Sequence, residues 1–160
     1  MRTTVVDHPL AAQALGRLRD VTTDRAAFRQ AMDDLAGLLV VEATRRLPTV
    51  AVDVETPLAA TSVVRVDPQP LTVPVLRAGL GLLPGVLRLL PDAPTGFIGV
   101  ARDETTLEPV PYMDSVPADL DGRPVLVLDP MLATGGSLAF ACDRLAARNP
   151  GPVTAVCVLA

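Results

Sequence analysis

The chain of 160 residues contains no lysine and no tryptophan, one tyrosine (Tyr112) and one histidine (His8). Each absence removes a class of chemistry. Without lysine there is no Schiff-base catalysis, and the Walker phosphate loop GxxxxGK[ST] cannot occur. All 14 basic residues are arginines, which do not serve as proton donors under ordinary conditions but suit phosphate recognition. The two cysteines, Cys142 and Cys157, have neither CxxC nor Cys/His metal spacing, so they read as a buried, inert pair. No apolar run approaches the roughly 20 residues needed to cross a bilayer. Asp7, His8 and Pro9 interrupt the first segment, so it lacks the apolar stretch of a signal peptide. A soluble, cytoplasmic protein is expected. The net charge of −4 argues against an extended nucleic-acid surface. It leaves room for a small anion held by a few local arginines.

The length suits one domain over residues 1–160, with a helical segment over 1–48 and an arm over 102–117. Leu10–Arg19 reads as a short helix. Thr23 or Asp24 can cap a longer one to about Arg46, with Phe28, Met32, Leu35, Leu38 and Leu39 at helical spacing and Pro48 as the stop. Val50–Val54 and Val63–Val66 read as strands, followed by a turn at 67–70. Leu71–Leu76 reads as a buried strand turning through "RAGLG" into a helix near 80–90. Strands follow at Phe97–Val100 and Val125–Leu128, a helix at Ser137–Arg148 and a strand at Val153–Leu159. Asp103–Pro117 is punctuated by prolines and reads as an extended arm or loop outside the core. This alternation predicts an α/β fold, an open, mainly parallel sheet flanked by helices.

The most informative stretch is "VLVLDPMLATGGS", Val125 to Ser137. In an open parallel sheet, ligands bind at the carboxyl ends of strands, and Asp129 stands at such an end. Gly135 and Gly136 permit unusual backbone angles and close approach of a ligand. Successive amides with a helix N-terminus behind them form an anion cradle, to which Thr134 and Ser137 add hydroxyls. A helix cap would account for one hydroxyl. It would not account for two glycines, two hydroxyls and an acid together. The glycines Gly79, Gly81 and Gly85 nearly match the dinucleotide fingerprint, but the third is one place late, and they read as close packing at a strand-to-helix turn, with a second phosphate facing them as the alternative.

The loop resembles the ribose-phosphate motif of the type I phosphoribosyltransferases. There an apolar strand ends in one or two acids, followed by an apolar pair and a Thr/Gly/Ser loop. Pro130 replaces the usual second acid, as in the uracil phosphoribosyltransferases, whose loop reads DPMLATGGS. "HPL" at His8–Leu10, "VPVLRAGLG" at Val73–Gly81 and "RDETTLEPVPY" at Arg102–Tyr112 are similar to the same branch and occur in the same order.

The resemblance implies transfer of the phosphoribosyl group from 5-phospho-α-D-ribose 1-diphosphate (PRPP) to uracil, giving UMP and diphosphate in pyrimidine salvage. It implies a PRPP site of Arg77, Arg102, Asp129, Pro130, Met131, Leu132, Ala133, Thr134, Gly135, Gly136 and Ser137. Arg77, Arg102 and Asp129 are its catalytic residues. Magnesium is expected mainly on the substrate's own oxygens, without a protein-built metal site. Homo-oligomers are expected through the arm and the N-terminal helices, with Tyr112 packing the arm against a partner chain. GTP is carried as an effector candidate, as in some relatives. No nucleic-acid or membrane partner is expected. His8 is expected to serve its turn structurally, and Glu104 and Glu108 to be solvated or interface charges. Members of the family continue past the motif-bearing region into a base-recognition segment. The expectation is therefore a domain incomplete at its C-terminus, with no uracil-binding residue assigned in 1–160. The competing readings are a catalytically impaired fragment and a nucleotide-sensing regulator on the same fold.

Overall fold

The structure is a computed structural model that describes residues 2–102 and 109–160, with the side chains of Arg102 and Pro109 outside the description. The order of elements is α1 (Pro9–Arg19), α2 (Arg25–Ala43), β1 (Thr49–Glu55), β2 (Ala60–Val66), β3 (Leu71–Leu76), a 3-10 turn (Ala78–Gly81), α3 (Leu83–Leu89), β4 (Ile98–Arg102), β5 (Pro109–Asp114), β6 (Val125–Leu128), α4 (Gly136–Ala146) and β7 (Val153–Val156).

The main sheet runs β5-β4-β3-β6-β7. All neighbours pair in parallel except β5, which lies antiparallel on β4. The chain moves outward from β3 to β4 on one side and from β6 to β7 on the other. The seam between β3 and β6 is thus the point where the winding reverses, and crevices for ligands open there at the carboxyl ends of the strands.

Side-chain alternation explains the three layers. Val125 and Val127 of β6 join Leu71, Val73 and Val75 of β3 against Ala141 and Leu145 of α4. Leu126 and Leu128 point the other way, onto Met32, Ala36 and Val40 of α2 and Val86 of α3. All four β6 side chains are buried. A strand covered on both faces needs no polar positions, and this is why it reads as an uninterrupted apolar run. Truncating Leu126 to alanine would cost about 2–5 kcal/mol. One buried hydroxyl in the central strand, on Thr72, is satisfied by the Pro94 carbonyl at 3.2 Å and the Thr95 hydroxyl at 2.8 Å.

Several expectations need correction. The arm over 102–117 is not wholly outside the core. Pro109–Asp114 forms edge strand β5, and Val116 is buried beneath the sheet. Two prolines are tolerated there because an edge strand needs hydrogen bonds on one side only. A bulge between Gly99 and Val100 accommodates the strand, and Tyr112 lays its ring across Gly99 of its own chain. Asp114 ties this edge down by bonding Arg148, which also donates to the Val116 carbonyl at 3.0 Å. Glu104 and Glu108 lie outside the described residues. Helix α2 stops at Ala43 rather than near Arg46. The Thr44 hydroxyl turns back to the Val40 carbonyl at 2.7 Å, and the backbone has already left the helix before the extended residue that Pro48 demands. β7 ends at Val156 instead of Leu159, because the next residues bond to the loop after β6. The cysteines are only partly buried.

The strands read at 50–54 and 63–66 pair with each other as an antiparallel hairpin separate from the main sheet. Its register puts Val50, Val52, Val54 and Val63 on one face. His8 caps α1, its Nδ1 accepting the Leu10 amide at 3.1 Å.

Candidate functional site

β6 delivers Asp129 to the mouth of the sheet, and the loop behind it turns into α4. Backbone bonds fix the first half of this loop. The Asp129 amide donates to the Val156 carbonyl at 3.1 Å, and the Leu132 amide to the Leu159 carbonyl at 2.9 Å. The Pro130 carbonyl receives the amides of Val158 and Leu159 at 3.0 and 3.1 Å. Burial pushes the Asp129 carboxyl above its ordinary pKa, and the Met131 amide, bonding to it, offsets part of that rise. A partly desolvated carboxylate with no cation partner among the described residues is poised to accept from a ligand.

The second half is built differently. Gly135 caps α4 with φ 77°, in the left-handed region that favours glycine. A methyl group there would touch only Leu132 Cδ1 at 3.6 Å, so the dihedral is what requires glycine. Gly136 has an ordinary helical dihedral, and the nearest atom to a methyl placed on it is Thr134 Oγ1 at 4.0 Å. The first amides of a helix have no acceptor within it, and this 11-residue helix has no acidic side chain in its first turn. Asp129, Met131, Leu132, Ala133, Thr134, Gly135, Gly136 and Ser137 together line a cavity of about 70 Å³. The cavity therefore brings together every expected loop residue except Pro130. Pro130 is buried with its back to the cavity and lines a second cleft.

That second cleft is larger, about 510 Å³, and lies beyond Met131. Leu18, Phe28, Met32, Leu80 and Val158 make it chiefly apolar. Arg19 and Arg29 also line it, but it lacks the glycine- and hydroxyl-rich loop of the smaller cavity.

Arg77 follows β3 directly and opens the 3-10 turn. It is exposed and enters no ion pair among the described residues. Arg102 ends β4 at the same edge of the sheet; its side chain lies outside the described residues. The arginines at 77 and 102 and the acid at 129 thus stand at the carboxyl ends of three adjacent parallel strands. Among the described residues, no three His, Cys, Asp or Glu side chains cluster to hold a metal ion. Both thiols are raised above their ordinary pKa, each chiefly by burial; Asp143 adds to this for Cys142, and Asp129 and Cys142 for Cys157. They are therefore weak nucleophiles. The close packing expected of the glycines at 79–85 is found at Gly79, seated over the β3–β6 seam, and at Gly85 against Ala36 of α2. What the sequence did not show is that the Gly79 contact is the Leu128 carbonyl.

A reversing parallel sheet with a hydroxyl- and glycine-rich anion loop on one side of the reversal and an arginine turn on the other defines a type I phosphoribosyltransferase. Comparison with known proteins narrows the class: the family model described as uracil phosphoribosyltransferase matches residues 5–160, and the chain belongs to that family. It is 54% identical to a uracil phosphoribosyltransferase of Streptomyces avermitilis and 52% identical to one of Kineococcus radiotolerans, in each case over 100% of this chain and 76% of the relative. Among solved structures, the AQ2163 protein of Aquifex aeolicus superposes with a TM-score of 0.89 at 34% identity, over 96% of this chain and 74% of that one. A hypoxanthine-guanine phosphoribosyltransferase of Bacillus anthracis shares the fold, with a TM-score of 0.57 at 15% identity over 81% of this chain and 66% of that one.

Proposed function

We propose that residues 1–160 form a phosphoribosyltransferase domain that transfers the phosphoribosyl group of PRPP to uracil, giving UMP and diphosphate. The observation that carries this reading is the loop cavity at the β3–β6 seam. Its walls join one desolvated carboxylate to a run of helix-start amides. In this reading the amides and hydroxyls of Ala133–Ser137 hold the 5′-phosphate. Asp129 accepts hydrogen bonds from the ribose hydroxyls. Arg77 neutralises the leaving diphosphate, and Arg102 joins it from the end of β4. Carbon 1 loses diphosphate as the base nitrogen arrives, and the sugar passes through an oxocarbenium-like state. Catalysis then comes from holding the reactants in line and from stabilising charge on the leaving group. No protein nucleophile is needed.

Magnesium, which the family implies, fits as a passenger on substrate oxygens: Asp129 is the one carboxylate lining the cavity, and Mg²⁺ keeps most of its ligands from water and phosphates. When bound, it would supply positive charge to the diphosphate. Cytoplasmic location and a GTP effector rest on the family reading alone; among the described residues no helix is long and apolar enough to cross a membrane. Self-association is proposed with a second copy of this chain. The β1–β2 hairpin supports it by leaving Val50 and Val63 exposed, since a two-stranded ribbon is marginal in water by itself. Sedimentation that gives a monomer at all concentrations refutes it. Neither the nucleotide-sensing regulator nor the impaired fragment is favoured, given relatives above 50% identity that are uracil phosphoribosyltransferases.

The test is calorimetry with PRPP and Mg²⁺, followed by uracil and detection of UMP. Arg77→Ala removes a charge-assisted contact worth roughly 1.5–3 kcal/mol, so PRPP binding should weaken about 10- to 150-fold. Unchanged affinity removes Arg77 from the site.

A further inference from the structure

Gly79 occupies the second position of the 3-10 turn and is buried. The direction in which its side chain would project is blocked. A Cβ there would stand 2.3 Å from the Leu128 carbonyl oxygen, 2.9 Å from Pro74 Cα and 3.0 Å from the Pro74 carbonyl carbon. Pro74 and Leu128 are register partners across the β3–β6 seam. The turn that begins with Arg77 is thus seated by one hydrogen atom directly on the two strands at the winding reversal. Its neighbours along the chain are the two halves of the proposed site. Arg77 lies two residues before Gly79, its carbonyl accepting the Leu80 amide at 3.2 Å. Asp129 immediately follows Leu128.

We infer that Gly79 is a positioning residue for phosphoribosyl transfer, setting the distance between the arginine turn that takes the diphosphate and the carboxylate that takes the ribose. The inference rests on the roles given to Arg77 and Asp129 above and adds what spaces them. Leu128 is fully buried between two layers, and its carbonyl belongs to the backbone of a packed strand. The lodged oxygen cannot yield as a flexible side chain would. A methyl at position 79 must instead lift the turn by about 1.1 Å to bring the 2.3 Å approach to the 3.4 Å of ordinary contact, and Arg77 moves with it. Misplacing a catalytic group by about 1 Å costs on the order of 100-fold. Gly81, in the same turn, differs. A methyl there meets only Met32 Cε at 3.4 Å, the free end of a flexible side chain.

The prediction separates ligands by what they span. PRPP reaches both halves; ribose 5-phosphate reaches only the Asp129 loop, and inorganic diphosphate only the arginine turn. In Gly79→Ala, PRPP affinity should fall, and kcat/KM with uracil should fall on the order of 100-fold. Ribose 5-phosphate and diphosphate, each with Mg²⁺, should each change by less than about threefold, because each half survives and only their spacing is altered. Gly81→Ala should match the parent for all three ligands. A general loss of structure would weaken all three alike, and that outcome, or unchanged PRPP affinity, overturns the inference. Arg77→Ala serves as the separate check on the reading beneath it. If that variant keeps diphosphate affinity, the site assignment itself fails, whatever Gly79→Ala does. Should Gly79→Ala not fold, the unsubstituted protein labelled with carbonyl ¹³C at leucine supplies the measurement. Diphosphate with Mg²⁺ should displace the Leu128 carbonyl resonance through the Gly79 contact, and a stationary resonance overturns the proposal.

Discussion

The adjacent glycines of the anion loop should fail in opposite ways when each is given a methyl group. Gly135 has φ 77°, and an L-residue in the left-handed region costs roughly 1–2 kcal/mol. The added Cβ meets Leu132 Cδ1 at 3.6 Å, ordinary van der Waals contact, so no steric penalty adds to the dihedral one. Gly135→Ala should therefore lower unfolding stability by about 1–2 kcal/mol in urea titrations without ligand. Gly136 carries no such strain, and a methyl on it finds no atom closer than 4.0 Å; Gly136→Ala should lose no stability. If a phosphate sits over the start of α4, however, that open space is where it lies. Forcing a methyl into a filled contact costs roughly 1–3 kcal/mol, so PRPP should bind Gly136→Ala about 5- to 150-fold more weakly by calorimetry. Parental PRPP affinity in Gly136→Ala would show that the phosphate does not approach these amides. A stability loss in Gly136→Ala equal to that in Gly135→Ala would show that the division of roles is wrong.

Asp129→Asn should weaken PRPP binding yet leave the unliganded protein at least as stable at neutral pH. Burial raises the folded pKa of Asp129, so the stability it contributes is full below the unfolded carboxylate pKa and lost as pH rises through the raised value. The difference between parent and variant should shrink on acidification, and a variant less stable than the parent at neutral pH contradicts this. Asp114 should behave in the opposite sense. The Arg148 guanidinium holds its carboxyl below the ordinary value, so its contribution is present above the unfolded pKa and lost as pH falls through the depressed one. Asp114→Asn should cost about 1 kcal/mol near neutrality and nothing in strong acid, as read from urea midpoints. His8→Ala removes a helix cap and should cost about 0.5–2 kcal/mol with kcat/KM unchanged; a fall in turnover at equal folded fraction would give His8 a chemical role. In hydrogen exchange, ribose 5-phosphate should slow the amides of Gly136 and Ser137 and leave those of Asp129 and Leu132 unaltered, and equal slowing at all four sites contradicts the loop's division.

What was legible in the sequence follows from where each residue sits. β3 and β6 emerge with the expected bounds, Leu71–Leu76 and Val125–Leu128, because strands buried on both faces leave a composition signal that needs no partner to interpret. The anion loop was legible for a related reason: its glycines and hydroxyls have no use in a core. β5 was not legible. Its prolines argue against a strand interior, and only its place at the sheet edge makes them harmless. The pairing of β1 with β2 was hidden because both strands are largely exposed and leave no buried face to set their partner. Gly79 and Gly135 look alike in the sequence. One is required by a carbonyl from a strand some 50 residues away and the other by its own dihedral, and neither cause is local in composition.

The loop after β6 combines two demands that ordinarily conflict. In the proposed function, a carboxylate that meets a sugar has to be fixed, and backbone amides that meet a phosphate have to be left unsatisfied. The chain meets both by dividing the loop at Leu132. Up to that point the backbone is bonded to the segment after β7, through Asp129, Pro130 and Leu132, which makes the first half an extension of the sheet in all but name. Beyond it, the backbone turns through the left-handed Gly135 into a helix whose first amides have no internal acceptor. Pro130 has a clear place in this division. A second carboxylate there would face a chiefly apolar cleft lined by Met32, Leu80 and Val158, with Arg19 and Arg29 also on its wall. The backbone carbonyl at 130 accepts the Val158 and Leu159 amides, as any residue's would, while the proline ring brings no charge to that wall. In the proposed reading, the single acid leaves neutralisation of the diphosphate to the arginines at the ends of the adjacent strands.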